Sequence, residues 1–340
     1  YNLARTKGRF EIFHVNKATK TAEAIEEDDL YKAVVEVTEK VGRKIENFIM
    51  SNSQVKGFIE KLRLTCESID LKPFGFKSDP SYVETRASFD PIPGYQAKDL
   101  IHFKEFLDRI TNMDAFMAFI GSLFDPDCKH EQYVWIYGDG RNGKSKIFDT
   151  IGAVLGKAMG SVSAPDSDHP GQFWTYNFYT KHLVLMREAE NAKFINSGTF
   201  KSLVTRESVQ VEKKYRDPKE IIIPARYIIL GNKRPDIDPN DASGERLIYC
   251  EVAKPQKKDP FFKDRLMTEV DKFISACITT YEEKYQNGSI LVDEKVKEKF
   301  LEDSKEHEIG VFHSLFQYHE GHTLEAGDVY RVLFEKYKLN

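Results

Sequence analysis

The stretch Gly138-Asp139-Gly140-Arg141-Asn142-Gly143-Lys144-Ser145 decides the fold of this chain. It fits the pattern G-x-x-x-x-G-K-[ST], in which the backbone N–H groups of a glycine-rich turn surround phosphate groups. In that pattern the lysine reaches the β- and γ-phosphates, and the hydroxyl of the last residue holds Mg²⁺. The stretch therefore predicts a phosphate loop with Lys144 and Ser145 as its functional side chains.

The residues on either side of the phosphate loop predict a strand before it and a helix after it. Residues 133–137, Tyr-Val-Trp-Ile-Tyr, are aromatic and β-branched, which is typical of a strand. Behind the loop, apolar residues recur at helical spacing as far as Gly156, a suitable C-cap. A strand, a loop and a helix N-terminus in this order form an anion site. We therefore expect the chain to bind a nucleotide.

The composition restricts the other function classes. The chain has 340 residues, 41% of them hydrophobic, and can bury a large core divided among two or three domains. Its formal net charge of −4 gives no overall basic field, so any contact with nucleic acid must be local. The four cysteines lie far apart without a C-x-x-C pair, which favours neither a disulfide framework nor a zinc site.

The sequence has no signal peptide and no apolar run of membrane-spanning length. We therefore expect no membrane contact and an intracellular location, in the cytoplasm of a bacterial host. Because the chain opens at Tyr1 rather than Met, we also expect it to be part of a longer polypeptide.

The N-terminal residues 1–80 are expected to form an accessory domain. Residues 9–15 alternate like a strand, whereas residues 30–50 and 55–66 carry apolar side chains at helical spacing. The sequence therefore predicts a mainly helical domain.

Prolines and glycine punctuate residues 73–95, which predicts a loop-rich linker at the edge of the next domain. Residues 100–124 follow as one or two amphipathic helices, and residues 161–172 read as a polar loop. The ATPase core is expected to span residues 81–255. Residues 256–340 are expected to form a helical C-terminal tail domain.

Residues 182–188 form an apolar run that ends in Glu188, with Glu190 two positions later. A buried parallel strand that ends in a carboxylate is how phosphate-loop enzymes present an acid to Mg²⁺ and to the attacking water. The alternative is that both acids merely begin a solvated loop.

Residues 209–223 predict a β-hairpin with a turn around Asp217-Pro218. Its tip concentrates positive charge around one aromatic ring, in Lys213, Lys214, Tyr215 and Arg216. Such a tip suits a nucleic-acid backbone, with the tyrosine stacking on a base or sugar. An ordinary solvated hairpin explains the same residues.

Two further polar residues stand at the ends of predicted strands. Asn232 follows the apolar residues 225–231, and its neutral amide could hold water against a γ-phosphate or cap the next turn. Arg246 precedes the strand over residues 247–252 and could reach a nucleotide held by a neighbouring subunit, although isolated arginines are usually surface residues.

Taken in order, these features resemble superfamily 3 helicases, particularly the branch found in poxviruses, phages and mobile elements, where the helicase is often fused to a primase or primase-polymerase. The resemblance is carried by residues 138–145 as the Walker A loop, 183–190 as the Walker B strand, 208–215 as the DNA-facing hairpin, 229–232 as the sensor strand and 243–246 as the arginine-finger segment. It covers residues 132–252, with weaker similarity back to residue 76.

The resemblance implies an AAA+-like α/β core with a central parallel sheet, assembled as a hexameric ring that moves 3′ to 5′ on single-stranded or forked DNA. It implies ATP and Mg²⁺ as cofactors. By motif position it assigns β/γ-phosphate binding to Lys144, the metal to Ser145 with Glu188 and Glu190, water polarisation to Glu188, γ-phosphate sensing to Asn232, action in trans to Arg246 and the DNA grip to Lys214.

One residue departs from the pattern of many phosphate-loop enzymes. Arg187 stands before Glu188, where a second carboxylate is common. Arg187 therefore argues against metal coordination through Glu190 or through water. The leading hypothesis is an ATP-driven DNA helicase in the replication of a virus or mobile element. A nucleotide-gated DNA-loading or assembly scaffold with weak hydrolysis, and a small-molecule kinase, are the alternatives.

Overall fold

The computed structural model describes residues 3–6, 11–42, 51–125, 127–165, 174–189, 191–212, 218–235, 237, 242–257, 259–300, 302 and 331. The chain forms two compact units, Tyr1–Val292 and Asp293–Asn340. In the second unit, residues 294–300 are helical. The elements named below belong to the first unit, and the three-domain division expected from the sequence stays a prediction. None of the helices in the described ranges is long and apolar enough to cross a membrane.

The N-terminal residues build a mixed sheet with two helices. The elements are β1 (Leu3–Arg5), β2 (Ile12–Asn16), β3 (Thr21–Ile25), α1 (Glu27–Gly42), α2 (Asn52–Thr65), β4 (Glu67–Ser68), β5 (Leu71–Gly75) and β6 (Tyr82–Arg86). Within the described residues the strand order is β4-β1-β2-β3-β6-β5. Alternation along β2 sends Phe13 and Val15 to one apolar cluster and Ile12 to another, which it shares with residues of α1 and α2.

This sheet corrects the expectation of a mainly helical N-terminal domain. Within the predicted loop-rich stretch 73–95, residues 73–75 and 82–86 belong to β5 and β6, whereas residues 76–81 and 87–95 are loops as predicted. The predicted helix over residues 55–66 and the strand near residues 9–15 are confirmed by α2 and β2. Of the helix predicted over residues 30–50, the last eight residues lie outside the described residues. Pro73 lies inside β5. A proline is tolerated there because β5 is an edge strand, so the N–H that proline lacks costs no hydrogen bond to a neighbouring strand.

The core follows in a single run of the chain. Its elements are α3 (Lys104–Leu107), α4 (Met113–Ser122), β7 (Tyr133–Tyr137), α5 (Lys144–Leu155), β8 (Met159–Ser163), β9 (Leu183–Ala189), α6 (Gly198–Val204), β10 (Ser208–Val211), β11 (Lys219–Ile222), β12 (Arg226–Gly231), α7 (Ala242–Glu245) and β13 (Leu247–Glu251). In the described part of the chain, five strands form a sheet in the order β13-β7-β12-β9-β8, and every neighbouring pair is parallel. The α/β core with a central parallel sheet is therefore observed.

Both faces of this sheet are buried, as parallel sheets require. On β7, Val134 and Ile136 join the main hydrophobic core together with residues of α4, α5 and the C-terminal helix Val270–Lys284. The alternating residue Tyr133 turns to the other face, where its ring meets Phe200 of α6 at 5.3 Å between centroids. The architecture is therefore three layers, with the sheet in the middle.

The polar loop predicted over residues 161–172 is wrong for its first three residues, which belong to strand β8. This strand continues to Ser163 and pairs in parallel with β9 as the outer strand of the sheet. Two of its serines are exposed, because an edge strand faces solvent along one side. A short strand of this kind has no apolar run that periodicity could detect.

The C-terminal part of the first unit is α8 (Phe262–Met267), α9 (Val270–Lys284), β14 (Tyr285–Gln286) and β15 (Ser289–Ile290). The predicted turn at Asn287-Gly288 is confirmed, with φ angles of 52° and 81° that suit a two-residue hairpin. Helix α9 packs against α4 so closely that a Cβ on Gly121 would lie 2.1 Å from the carbonyl oxygen of Cys277.

Candidate nucleotide site

The phosphate loop joins β7 to α5 and takes backbone conformations that favour glycine. Gly138 has φ 151° and Gly143 has φ 96°. A Cβ on Gly138 would lie 2.4 Å from the carbonyl oxygen of Val252, so only glycine fits there. At Gly140 a Cβ would meet nothing within 4 Å. The loop is therefore tightly packed on one side and open on the other.

Lys144 begins α5, and its side chain is buried, with 6% of the residue exposed. Its Nζ donates a hydrogen bond to the carbonyl oxygen of Gly138. Burial lowers the pKa of the Lys144 ammonium, and the nearby Asp139 opposes this only in part. A desolvated ammonium is stabilised by an anion, so the loop suits a phosphate.

The residues just after β13 support the loop from outside. The Asn142 side-chain Nδ2 donates to the carbonyl oxygen of Val252 at 3.1 Å. Lys254 forms an ion pair with Asp139 at 2.9 Å, and this hydrogen bond and charge lower the pKa of the Asp139 carboxyl. The one carboxylate of the loop is therefore already paired with a cation and adds little repulsion to an incoming anion.

Glu188 and Asn232 lie at the carboxyl ends of the parallel strands, where the phosphate loop also lies. Strand β12 runs between β7 and β9, with Leu230 level with Ile136 and Gly231 level with Ala189. Neighbouring strands are about 4.8 Å apart, so the ends of β7 and β9 are about 10 Å apart, with the end of β12 between them. Glu188 is exposed and has φ 58°. The predicted partner Glu190 lies outside the described residues.

Arg187, which stands where many phosphate-loop enzymes have a carboxylate, is paired with Asp149 of α5. Its Nη2 lies 3.1 Å from an oxygen of Asp149, and its Nε donates to the hydroxyl of Ser161 at 2.8 Å. Arg187 therefore ties β9 to α5 and β8, and Asp149 offsets its charge.

Arg246 lies at the other ends of the strands, their amino ends, just before β13. Because β13 runs parallel to β7 with Leu247 level with Tyr133, Arg246 stands about six residues, or ~20 Å, before the level of the phosphate loop. Its guanidinium lies 3.3 Å from the carboxylate of Glu131. The structure does not bring Arg246 to the phosphate loop of its own chain.

The hairpin β10–β11 begins near the amino ends of the strands, where Arg246 also lies. It starts four residues after α6, whose Phe200 packs on Tyr133 and Tyr227 near the beginnings of β7 and β12. Its strands pair as the sequence predicts, with Val211 level with Lys219. The predicted DNA-binding residues Lys213, Lys214, Tyr215 and Arg216 lie outside the described residues.

A cleft of ≈ 610 Å³ opens beside the phosphate loop. The residues that line it include Gly140 to Lys146 and Asn232. Sequence reasoning missed the remaining wall, which consists of Glu105, Arg109, Pro255, Lys257, Asp259, Pro260 and Phe262. The apolar spacing of α3 indicated only packing, and its polar side chains had the pattern of an ordinary solvated face.

The cleft fits a nucleotide in size and chemistry. Small-molecule sites usually enclose about 300–1,000 Å³. In the part of the chain that the structure describes, no three His, Cys, Asp or Glu side chains form a ready metal cage. Mg²⁺ usually keeps several waters and takes few protein ligands beside the phosphates, so a site without such a cage does not conflict with Mg²⁺. Ser145 lines the cleft, whereas Glu188 is not among its lining residues, and their role as metal ligands stays a prediction.

Comparison with known proteins supports the fold. Residues 136–246 match the model of a family described as a family of unknown function, DUF5906. No curated protein matches the chain.

Among solved structures, the chain is similar to the A form apo structure of the NrS-1 C-terminal region, with a TM-score of 0.58, 13% identity and coverage of 92% of this chain and 74% of that chain. An apo structure of the NrS-1 C-terminal region gives a TM-score of 0.58 at 14% identity, with 89% and 71% covered. This likeness concerns the fold.

Proposed function

We propose that this chain is an ATP-driven, Mg²⁺-dependent DNA helicase that works as a hexameric ring of identical subunits. It would act in the replication of a virus, phage or mobile element, fused or bound to a primase or polymerase. One observation carries the proposal. Glu188 and Asn232 lie at the carboxyl ends of the strands, as the phosphate loop does, whereas Arg246 stands at their amino ends, ~20 Å along the strands. A site of this design is completed by a second copy.

The roles follow from charge and position. Lys144 neutralises the β- and γ-phosphates, and the hydroxyl of Ser145 holds Mg²⁺, which neutralises charge on the phosphate oxygens. Glu188 orients the attacking water, and Asn232 contacts it or the γ-phosphate without adding negative charge. Arg246 of the neighbouring copy stabilises the charge that develops in the transition state.

The basic segment 213–216 would grip DNA. The chain has a net charge of −4, so four consecutive residues with three cations and a tyrosine form a local basic site. The hairpin that carries this segment starts near the amino ends of the strands, away from the nucleotide cleft. Nucleotide and DNA would therefore be bound at different ends of the core.

The scaffold reading is favoured by Arg187, which occupies the position where an acid commonly helps to hold the metal. A ring with a weak hydrolysis site would still bind nucleotide and DNA. A small-molecule kinase explains the phosphate loop alone and gives no use to the basic hairpin or to Arg246.

Turnover with and without single-stranded DNA separates these functions. We expect the ATPase rate to rise with DNA and to disappear in Lys144→Ala and Glu188→Gln. Lys214→Ala should retain basal turnover and unwind forked DNA poorly. Turnover that ignores DNA would count against a helicase, and nucleotide-dependent assembly with negligible turnover would favour the scaffold.

A mixing experiment tests the shared site directly. Glu188→Gln and Arg246→Ala are each expected to be inactive alone while still binding nucleotide. In rings assembled from equal amounts of both, roughly a quarter of the head-to-tail interfaces combine an intact Glu188 with an intact Arg246, so activity should return. No recovery in rings of demonstrated mixed composition would mean that the arginine does not act in trans.

A further inference from the structure

We propose that Arg109 is a positioning residue of the nucleotide site, and that it fixes the direction in which the Gly143 N–H of the phosphate loop points. This inference rests on the proposed function only in taking a nucleotide as the ligand. It assigns Arg109 to the machinery of the loop, although this residue precedes the loop by 29 positions and belongs to no motif.

The Arg109 guanidinium donates to carbonyl oxygens of three separate segments. Its Nη1 donates to Asn142 at 3.0 Å and to Ala253 at 2.6 Å, and its Nε donates to Glu105 at 3.0 Å. A guanidinium is a planar and rigid fork of donors. The fork therefore holds the phosphate loop, α3 and the residues after β13 in fixed relative positions.

The Asn142 carbonyl and the Gly143 N–H belong to one peptide group. That group is planar and trans, so its C=O and N–H point in opposite directions. Because the carbonyl oxygen of Asn142 faces Arg109, the N–H of Gly143 is directed away from Arg109. Backbone N–H groups of such a loop surround phosphate, so this orientation leaves the Gly143 N–H available to a phosphate.

The other contacts of Asn142 and Gly143 agree with this orientation. The Asn142 side chain binds the carbonyl oxygen of Val252, which holds the residue from a second direction. Gly143 has φ 96°, and a Cβ there would lie 3.2 Å from the ring of Phe262 and 3.9 Å from the Nη2 of Arg109. Gly143 is thus held close to Phe262 of α8 and to Arg109.

Arg109 also contributes charge to the wall of the cleft. In the part of the chain that the structure describes, its hydrogen bonds all go to neutral carbonyl oxygens, and the nearby Glu105 carboxylate is paired with Arg265 at 2.9 Å. Burial lowers the pKa of the Arg109 guanidinium, which still stays charged. The positive charge of Arg109 adds to that of the buried Lys144.

Nucleotide binding by Arg109→Lys tests the inference without hydrolysis or DNA. A lysine keeps the positive charge but cannot donate from a rigid fork to two carbonyls. We expect the Kd values of ADP and ATP to rise roughly 10- to 100-fold, as for a charge-assisted hydrogen bond that is no longer aligned. Both nucleotides should be affected alike, because such a loop surrounds the α- and β-phosphates, which they share.

Arg265→Lys is the matched control. Arg265 pairs with Glu105 and Asp259, which line the same cleft, but it donates nothing to the loop. Its nucleotide Kd should stay within about threefold of the wild type, since rim ion pairs contribute little. Equal losses in both variants, with thermal unfolding midpoints similar to the wild type, would mean that Arg109 only supports the rim.

A direct readout comes from labelling Asn with ¹³C at the carbonyl and Gly with ¹⁵N. The dipeptide Asn-Gly occurs at 142–143 and 287–288, so two amide signals report on Gly143 and on the remote turn glycine Gly288. ADP at saturation should shift the Gly143 signal of the wild type strongly and that of Arg109→Lys much less, with Gly288 unchanged. Equal shifts of Gly143 in both proteins would overturn the inference. If the wild type binds ADP but its turnover ignores DNA, the helicase proposal fails and this one stands.

Discussion

Replacing Glu269 with alanine is expected to lower the free energy of unfolding by about 3–5 kcal/mol. Glu269 is buried, and its carboxylate accepts three backbone hydrogen bonds, from Ile101 at 2.7 Å, His102 at 2.7 Å and Phe103 at 3.0 Å. Each hydrogen bond to a charged group contributes about 1.5–3 kcal/mol. The sum is reduced because water reaches the more exposed of the three N–H groups after the change.

The same change should weaken nucleotide binding. Residues 101–103 lead directly into α3, which carries Glu105, and Arg109 follows two residues after that helix. Loosening the start of α3 loosens the far wall of the cleft. Glu269→Gln keeps the volume but turns an amide NH₂ toward at least one backbone N–H, so we expect a loss of about 2–3 kcal/mol.

Urea unfolding of the apo protein measures the first effect, and fluorescence titration with an ADP analogue measures the second. Glu282→Ala is the control, because Glu282 lies exposed on the same helix, α9. It should change stability by less than about 0.5 kcal/mol. If Glu269→Ala and Glu282→Ala were equally stable, the three hydrogen bonds would not support the fold, and the reasoning about α3 would be wrong.

Three other predictions concern the described fold. Gly121→Ala should cost at least about 3 kcal/mol or prevent soluble expression, because its Cβ would meet the backbone of α9, and a normal yield with unchanged urea midpoint would contradict this. Arg86→Ala should lower the free energy of unfolding by about 2–4 kcal/mol in urea. The reason is that the Arg86 guanidinium donates to carbonyl oxygens of five residues between positions 19 and 81. The control is Arg5→Ala, at an exposed arginine, which should not lower it by this amount. Burial lowers the pKa of His130 from 6.5 to about 3, so the unfolded chain binds one more proton between these values and stability falls on acidification below pH 6.5. The stability difference between the wild type and His130→Gln should therefore shrink by up to about 1.4 kcal/mol per pH unit, and a constant difference between pH 7 and 5 would refute it.

The order of the core elements could be predicted because each has a local cause. Residues 133–137 are a continuous apolar run before a glycine-rich loop, and both β7 and α5 form where this pattern predicts them. Strands β9 and β12 are likewise apolar runs, and the Asn287-Gly288 turn has residues that adopt positive φ. These elements are specified within a few residues of sequence.

The parts that could not be predicted depend on tertiary neighbours. Pro73 has the pattern of a loop, and only the position of β5 at a sheet edge makes a strand possible there. Arg109 shows no signal in its own segment, because its partners Asn142 and Ala253 lie 33 and 144 residues away. The phosphate side of the candidate site was therefore predictable, and the opposite wall was not. The roles of Glu188, Asn232 and Arg246 stay predictions.

Strand β13 connects two sites that the proposed ring would keep in different subunits. Arg246 stands at its first end, and the residues after its last end, Val252 to Lys254, support the phosphate loop of the same chain. Five paired residues in a sheet make a stiff rod of about 16 Å. In such a ring, a shift of Arg246 when the neighbour releases phosphate would push this rod against the loop of its own subunit. Neighbouring nucleotide sites of such a ring would then be linked through a single strand.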